Sequence, residues 1–330
     1  MDRRDFLKVA AAVSLSPLLS ACEQEVRWTK AAYIKPRRSQ VAILAAKNYG
    51  KSLRDTILRG IQMCRVEVRG KRILLKPNLV EFDPKGVINT HPAVVEAAAD
   101  SFKTLGAREV IVAEGPGHRR DNEYLLSASG LYDVLQEHHI RYVDLNSDNV
   151  RLTPLKSAFT RFNQLYLPDT LFNADLLVSM PKLKTHHWAG VTLSLKNMFG
   201  VVPGSVYGWP KNALHWAGID GSILDINSSL PLPRFAIIDG VIGMEGNGPL
   251  QGQEKKSGVL LFGTDLVAVD ATAARLMKIE PRKVKYLETA GEFLGNVAYE
   301  EIEQIGEKLE RHAQDFRVID EFSYLKKLLG

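Results

Sequence analysis

Apolar runs of strand length recur along the chain and alternate with stretches whose apolar residues return every three or four positions. Val41 to Ala46 is such a run, and Ser52 can cap a helix with Leu53, Ile57, Ile61 and Cys64 on one face. Arg72 to Lys76 is a second strand, stopped by Pro77. Thr90 can cap the next helix, with Pro92 near its first position, Val94, Val95 and Ala98 inward, and Gly106 ending it. Glu109 to Ala113, Ile140 to Leu145, Leu176 to Ser179, Phe235 to Ile238 and Gly258 to Phe262 follow as strand candidates. Residues 150 to 173 read as short strands and turns, and Tyr207 to Leu214 as an interrupted loop, a candidate lid. His215 then opens a helix with Ile219, Ile223 and Ile226 inward. Thr264 or Asp265 caps another, with Leu266, Val269, Ala273, Leu276 and Met277 in the core. Runs apolar on both faces are what a covered parallel sheet requires. The pattern predicts an α/β fold, strands and helices alternating around a mostly parallel sheet, as one body or two lobes parted near residue 150 with the site between them.

The ends read differently. Residues 1–22 form an address: Asp2-Arg3-Arg4-Asp5-Phe6-Leu7-Lys8 matches the twin-arginine signal pattern, and Val9 to Leu19 is apolar but shorter than the ~20 residues of a membrane span. Leu19-Ser20-Ala21-Cys22 resembles a bacterial lipobox, which makes Cys22 the lipidated residue. The implied partners are the twin-arginine export machinery and a membrane, and the implied location is the periplasm or cell envelope. Residues 23–40 read as a basic tether, 41–280 as the α/β domain, and 281–330 as helical packing ending in a charged helix.

Composition narrows the functions. With 330 residues and 45% hydrophobic content the chain can bury a sizeable core. Its net charge of +5 favours anionic partners, yet the cations are spread along the chain, with no basic stripe or motif for nucleic acid. The two cysteines, Cys22 and Cys64, are too few for a cysteine-ligated iron-sulfur cluster or an all-cysteine zinc site. Any metal must rest on His, Asp or Glu, or on a bound cofactor.

The chemistry gathers at strand ends. Lys182, Lys184, Thr185, His186 and His187 follow the run that ends at Met180-Pro181, and Lys196 and Asn197 lie further along the same apolar segment. Cations among apolar residues need partners, so this cluster points to a small anionic ligand. Lys76 and Asn78 end the second strand, at the edge where open α/β sheets bind ligands, and the four lysines are expected to face one cavity. Glu114-Gly115-Pro116-Gly117-His118-Arg119 is a glycine loop after a strand, with His118 and Arg119 at its tip. Asp239, Gly240 and the glycine-rich loop carrying Glu245 suit metal coordination or general base work. Asp220 and Asp225 read as solvated helix carboxylates, and Asp270 as structural.

Two resemblances follow from these residues. Met180-Pro181-Lys182-Leu183-Lys184-Thr185-His186, Ser194-Leu195-Lys196-Asn197-Met198-Phe199-Gly200, and Asp239-Gly240 with Met244-Glu245-Gly246-Asn247-Gly248-Pro249 resemble the prokaryotic family called domain of unknown function 362, over roughly residues 40 to 280. Some members carry a ferredoxin-like module, which this sequence lacks. More distantly, Gly117-His118-Arg119 and the run from His186 through Ala189-Gly190 and Lys196 to Pro203-Gly204 and His215 are similar to the nickel-pincer lactate racemases. That resemblance implies that His118 and His186 exchange protons, Lys196 holds the cofactor and His215 ligates nickel. The racemase's glycine pair before the lysine is Ser194-Leu195 here.

Two functions fit these residues. One is an enzyme, isomerase-like or racemase-like or otherwise cofactor-dependent, acting on a small carboxylate or phosphate compound by His-mediated proton transfer. The other is a non-catalytic ligand-binding or cofactor-carrying lipoprotein serving an envelope redox or maturation system.

Overall fold

The computed structural model describes residues 29–117 and 121–326. Cys22, His118 and Arg119, all singled out above, lie outside the described residues. The chain builds β1 (Ser39–Ala45), α1 (Leu53–Met63), β2 (Arg72–Pro77), α2 (Pro92–Thr104) and β3 (Glu109–Glu114) in strict alternation. Then come α3 (Asn122–Ala128), α4 (Leu131–Glu137), β4 (Arg141–Asp144), the hairpin pair β5 (Val150–Pro154) and β6 (Gln164–Pro168), and β7 (Leu176–Met180). β8 (Lys182–His186) and β9 (Gly190–Thr192) lead into α5 (Ser194–Asn197), α6 (Asn212–Trp216) and α7 (Ile219–Ser229). β10 (Arg234–Asn247), β11 (Gln251–Gly263), α8 (Leu266–Leu276), α9 (Lys285–Gly291) and β12 (Ile302–Gly306) complete the order.

One mixed sheet, with the order β12-β1-β11-β10-β7-β2-β3-β4, carries the fold. The pairs from β10 through β7, β2 and β3 to β4 are parallel, as are β1 and β12, while β11 runs antiparallel to both its neighbours. Side chains alternate between two covered faces. Leu74, Leu177, Ala236 and Ile238 meet α7, α8 and α9 on one side. Ile73, Leu75, Val178, Phe235 and Ile237 meet α1 to α4 on the other. Covering both faces is why these strands read as continuous apolar runs rather than alternating ones.

Several expectations change here. Phe235 to Ile238 does not end at Asp239: β10 continues to Asn247, and the glycine-rich segment is a strand pairing with β11. Glycine serves close packing there, since a Cβ on Gly248 would run into the carbonyl of Thr185. Lys182 to His186 is likewise a buried strand, parallel to β10 and antiparallel to β9. Residues 281–330 are not a helical packing segment throughout. Ile302 packs into one covered face and Ile305 against the other, with exposed Glu303 between them, so the segment supplies β12 at the sheet edge, where charged positions discourage further pairing. The cap of α2 is His91, whose Nδ1 accepts from Ala93 N, and Thr90 Oγ1 instead donates to the carbonyl of Met180. His215 sits in the last turn of α6 rather than opening a helix. Among the described residues no helix is long and apolar enough to cross a membrane.

Asp225 is not solvated. It is 1% exposed, and its carboxylate accepts from Ser157 Oγ at 2.6 Å, Phe159 N at 3.0 Å, and Thr160 N and Oγ1 at 2.8 and 2.6 Å. It pins the otherwise irregular turn 157–160 to α7. Asp225→Ala leaves these donors without an acceptor, and each buried orphan costs ~1–3 kcal/mol. The expected outcome is a fall in melting temperature far larger than that of Asp220→Ala at the partly exposed position one turn earlier, read by calorimetry on both variants.

Candidate functional site

The carboxyl ends of β2 and β3 open on a cavity of about 210 Å³, closed by β8, α5 and the segment around α6. Its floor is an ion pair. Lys76, fully buried, donates from Nζ to Glu114 Oε2 at 2.6 Å, and to Asn197 Oδ1 and Pro77 O at 3.3 Å each. Glu114 also accepts from Leu79 N at 3.2 Å and Gly115 N at 2.9 Å. Asn197 Nδ2 donates back to Lys76 O at 3.1 Å and to Ser179 Oγ at 3.2 Å, which locks α5 to the strand ends. Position 200 must be glycine, because a Cβ there would run into Glu114 Oε1 and lie 2.5 Å from Lys76 Nζ. Asp270, the expected structural carboxylate, holds α5 from behind by accepting from Ser194 N at 2.7 Å and Leu195 N at 2.9 Å; burial pushes its pKa up to about 7.

Three more lysines face the same space, and Glu114 is the sole carboxylate among the described lining residues. Lys184 Nζ donates to the carbonyl of Ile88 at 2.8 Å; burial, then Lys196 and Lys182 nearby, pulls its pKa well below the ordinary value. Lys196 Nζ lies 4.4 Å from the centre of the Phe199 ring, and no hydrogen bond ties it to any described residue. Burial and the charge of Lys76 lower its pKa to about 8. Lys211, unforeseen from the sequence, is 1% exposed and donates to Gly115 O at 2.7 Å, Gly200 O at 3.1 Å and Phe199 O at 3.4 Å. It fastens the expected lid to the cavity wall, and burial lowers its pKa to about 7. Two buried polar atoms of the lining, Asn78 Oδ1 and Thr192 Oγ1, have no hydrogen-bond partner among the described residues.

The histidines take opposite tautomers. His186 Nδ1 accepts from Trp188 N at 3.0 Å and Ala189 N at 3.2 Å, so a neutral ring carries its proton on Nε2. Burial and then Lys196 hold its pKa well below 6.5. His215 Nδ1 lies 3.1 Å from the carbonyl of Lys211, an acceptor, so Nδ1 keeps the proton and Nε2 is bare. Burial and Lys196 lower its pKa as well. His187 and Trp188 stand between the two rings, with neighbouring centroids 5.1, 4.8 and 5.2 Å apart along the series.

Of the residues singled out in the sequence, Lys76, Asn78, Lys184, His186, Lys196, Asn197 and His215 thus line one cavity. Lys182, Asp239 and Glu245 do not. Lys182 Nζ donates to Asp239 Oδ2 at 2.6 Å and to Tyr49 Oη at 3.1 Å, and Tyr49 Oη donates to Asp239 Oδ1 at 3.0 Å, a closed network behind β8. Asp239 is thereby fully engaged rather than open to a metal. Glu245 is held by Arg317 Nε at 2.8 Å and Lys255 Nζ at 3.2 Å. Among the described residues the acidic and imidazole groups that converge within 4.8 Å are Glu96, Asp100 and His138, on α2 and after α4, away from the cavity.

The lysines make a pH signature. An unfolded chain holds their protons up to ~10.4, whereas the folded, ligand-free protein releases those of Lys211 and Lys196 near 7 and 8. Stability therefore rises as pH rises through that interval, by up to ~1.4 kcal/mol per pH unit for each group. Denaturant unfolding between about pH 8 and 9.5 should show this slope in the wild type and a flatter one in Lys211→Met and Lys196→Met. Equal slopes in all three proteins would mean that these amines keep ordinary titration.

Comparison with known proteins agrees with the motifs. The family described as "Domain of unknown function (DUF362)" matches residues 73–275. The "thylakoid-associated protein sll1697" of Synechocystis is 30% identical over 223 residues, and the match covers 65% of each chain, so this chain spans about two-thirds of that relative's length. Among solved structures, the lactate racemase apoprotein of Thermoanaerobacterium thermosaccharolyticum has a TM-score of 0.44 at 13% identity, over 79% of this chain and 59% of that one. A Thermotoga maritima protein has a TM-score of 0.38 at 10% identity, over 76% and 61%. Neither structural likeness carries an argument about chemistry. The family match spans more than half of the sequence and includes both the Lys/His strand and the Lys196 helix, and the chain belongs to the DUF362 family.

Proposed function

We propose that the protein is an enzyme that binds a small carboxylate or phosphate compound in this cavity and moves a proton on it. The observation that carries the reading is the convergence of four lysines on one carboxylate beside two imidazoles of opposite tautomer. The lysines hold the anion. His186, with Nε2–H facing a cationic cavity and a depressed pKa, donates a hydrogen bond or proton to a developing oxyanion. His215, with a bare Nε2, accepts one. Groups whose surroundings push them into opposite protonation roles are the usual form of an acid and base pair. His118 of the glycine loop would be a third proton carrier, as the racemase resemblance implies.

The nickel-pincer group implied by that resemblance meets only part of its surroundings. Lys196 offers an amine and His215 a bare nitrogen. The two peptide N–H groups that precede Lys196, however, are both taken by Asp270, where the racemases carry their glycine pair. These residues do not fit the whole group, and the proton chemistry rests on the chain's own side chains.

We also propose export by the twin-arginine route and anchoring through a lipidated Cys22, supported by Arg3-Arg4, the apolar run and Leu19-Ser20-Ala21-Cys22. Palmitate labelling of wild type but not of Cys22→Ala is the expected result, and labelling that ignores Cys22 overturns it. For the chemistry, the protein is incubated in D₂O with a panel of hydroxy acids and phosphorylated metabolites, and melting temperature and deuterium incorporation are followed. His186→Asn and His215→Asn should each lower exchange by about 10²- to 10⁴-fold while melting near the wild type. A ligand that stabilises the protein without any exchange would favour the non-catalytic lipoprotein; a panel that neither exchanges nor stabilises would sink both readings.

A further inference from the structure

We infer that the ligand of this cavity presents a compact double negative charge, a phosphate monoester group seated between Lys184 and Lys196. The inference rests on the reading that the cavity binds a small anion and names which anion it takes. Lys76 spends its three N–H groups on Glu114, Asn197 and Pro77, and Lys211 spends its three on Gly115, Phe199 and Gly200. These two build the walls. Lys184 spends one, on Ile88, and Lys196 spends none on a described residue. The donors left for a ligand therefore belong to Lys184 and Lys196, and Lys196 is the leading charge acting on Lys184. Two ammonium groups so placed repel each other until an anion lies between them.

One negative charge does not suffice. Glu114 is already engaged by Lys76, Leu79 and Gly115; its single charge also reaches Lys184, Lys196 and Lys211 but cannot balance four amines. A single phosphate places both of its charges on one tetrahedral group that two ammonium groups can touch at once, whereas a dicarboxylate separates them. Lysine, a point charge with freely rotating donors, binds a tetrahedral phosphate without the planar fork of arginine, and the described lining contains no arginine. Thr192 and Asn78, 3% and 7% exposed, add the unpartnered Oγ1 and Oδ1 in the same lining: a hydroxyl that can donate to a phosphate oxygen and an amide oxygen that can accept from a hydroxyl on the esterified part.

The test compares methyl phosphate, a dianion at pH 7.5, with methyl sulfate, its monoanionic tetrahedral counterpart, and with malonate and acetate as the carboxylate pair, by calorimetry on the full chain. Methyl phosphate should bind at least about tenfold more tightly than methyl sulfate and more tightly than malonate. Lys184→Met and Lys196→Met should each erase most of that preference. Lys196→Met should melt at or above the wild type, because it removes one of two repelling charges and breaks no hydrogen bond to a described residue, whereas Lys184→Met also leaves the carbonyl of Ile88 without its donor. The wild-type comparison stands even if a variant fails to fold. Equal affinity for the two methyl esters, a preference for malonate, or well-folded variants that keep the full preference overturns the dianion inference while leaving an anion site in place. Binding of none of the four probes overturns the anion site itself, and the inference with it.

Discussion

The structure is governed by the cost of keeping amines away from water. A buried ammonium ion without a counter-charge is strongly disfavoured, and removing one partner of a buried pair typically costs ~3–5 kcal/mol. The pair of Lys76 and Glu114 answers that cost at one point. Everything around it is fitted to preserve the pair: the backbone N–H groups of Leu79 and Gly115 on the carboxylate, Asn197 bridging to β2, and glycine at position 200 where any side chain would collide with both ions. The other three lysines have no carboxylate partner of their own within the described lining, and burial lowers the pKa of all four, Lys76 included.

A second buried pair shows what a purely structural solution looks like. Lys182 and Asp239 are both nearly inaccessible, like Lys76 and Glu114, but Tyr49 and the backbone N–H groups of His91 and Val241 engage them, and neither residue lines the cavity. The same residue types at the same kind of strand end thus serve two ends. In one network both carboxylate oxygens, the ammonium and the tyrosine hydroxyl are engaged internally. In the other, Lys184, Lys196, Thr192 and Asn78 keep hydrogen-bonding capacity in reserve at the wall of a cavity.

This difference marks how far the sequence could be read. Continuous apolar runs such as Leu74-Leu75 and Phe235 to Ile238 revealed a sheet covered on both faces, and the ends of those runs located Lys76, Lys184, His186 and Lys196 correctly in space. Lys182 was indistinguishable from Lys184 at that level. Both flank Leu183 in one segment, and only the register of β8 against β10, with its irregularity between Asp239 and Met244, sends one to an aspartate and the other to the cavity. Lys211 gave no signal at all. It lies in a left-handed conformation between Pro210 and Asn212, outside any period, and its amine is held by three carbonyls, that of Gly115 after β3 and those of Phe199 and Gly200 in the helical turn after α5. Asp225 misled because helical spacing identifies a face but not what a neighbouring turn presses against it.

The histidines carry the same lesson into chemistry. Residue type alone made His186 and His215 equivalent, each able to give or take a proton near neutral pH. The backbone removes that freedom. A tight turn after β8 directs two N–H groups at Nδ1 of His186, while Lys211 at the start of α6 directs its carbonyl at Nδ1 of His215, so one neutral ring can only donate from Nε2 and the other can only accept. Because the peptide groups that impose this belong to the turn and the helix themselves, the assignment survives changes in the cavity's lysines, and it is the local fold, more than the local charge, that divides the roles.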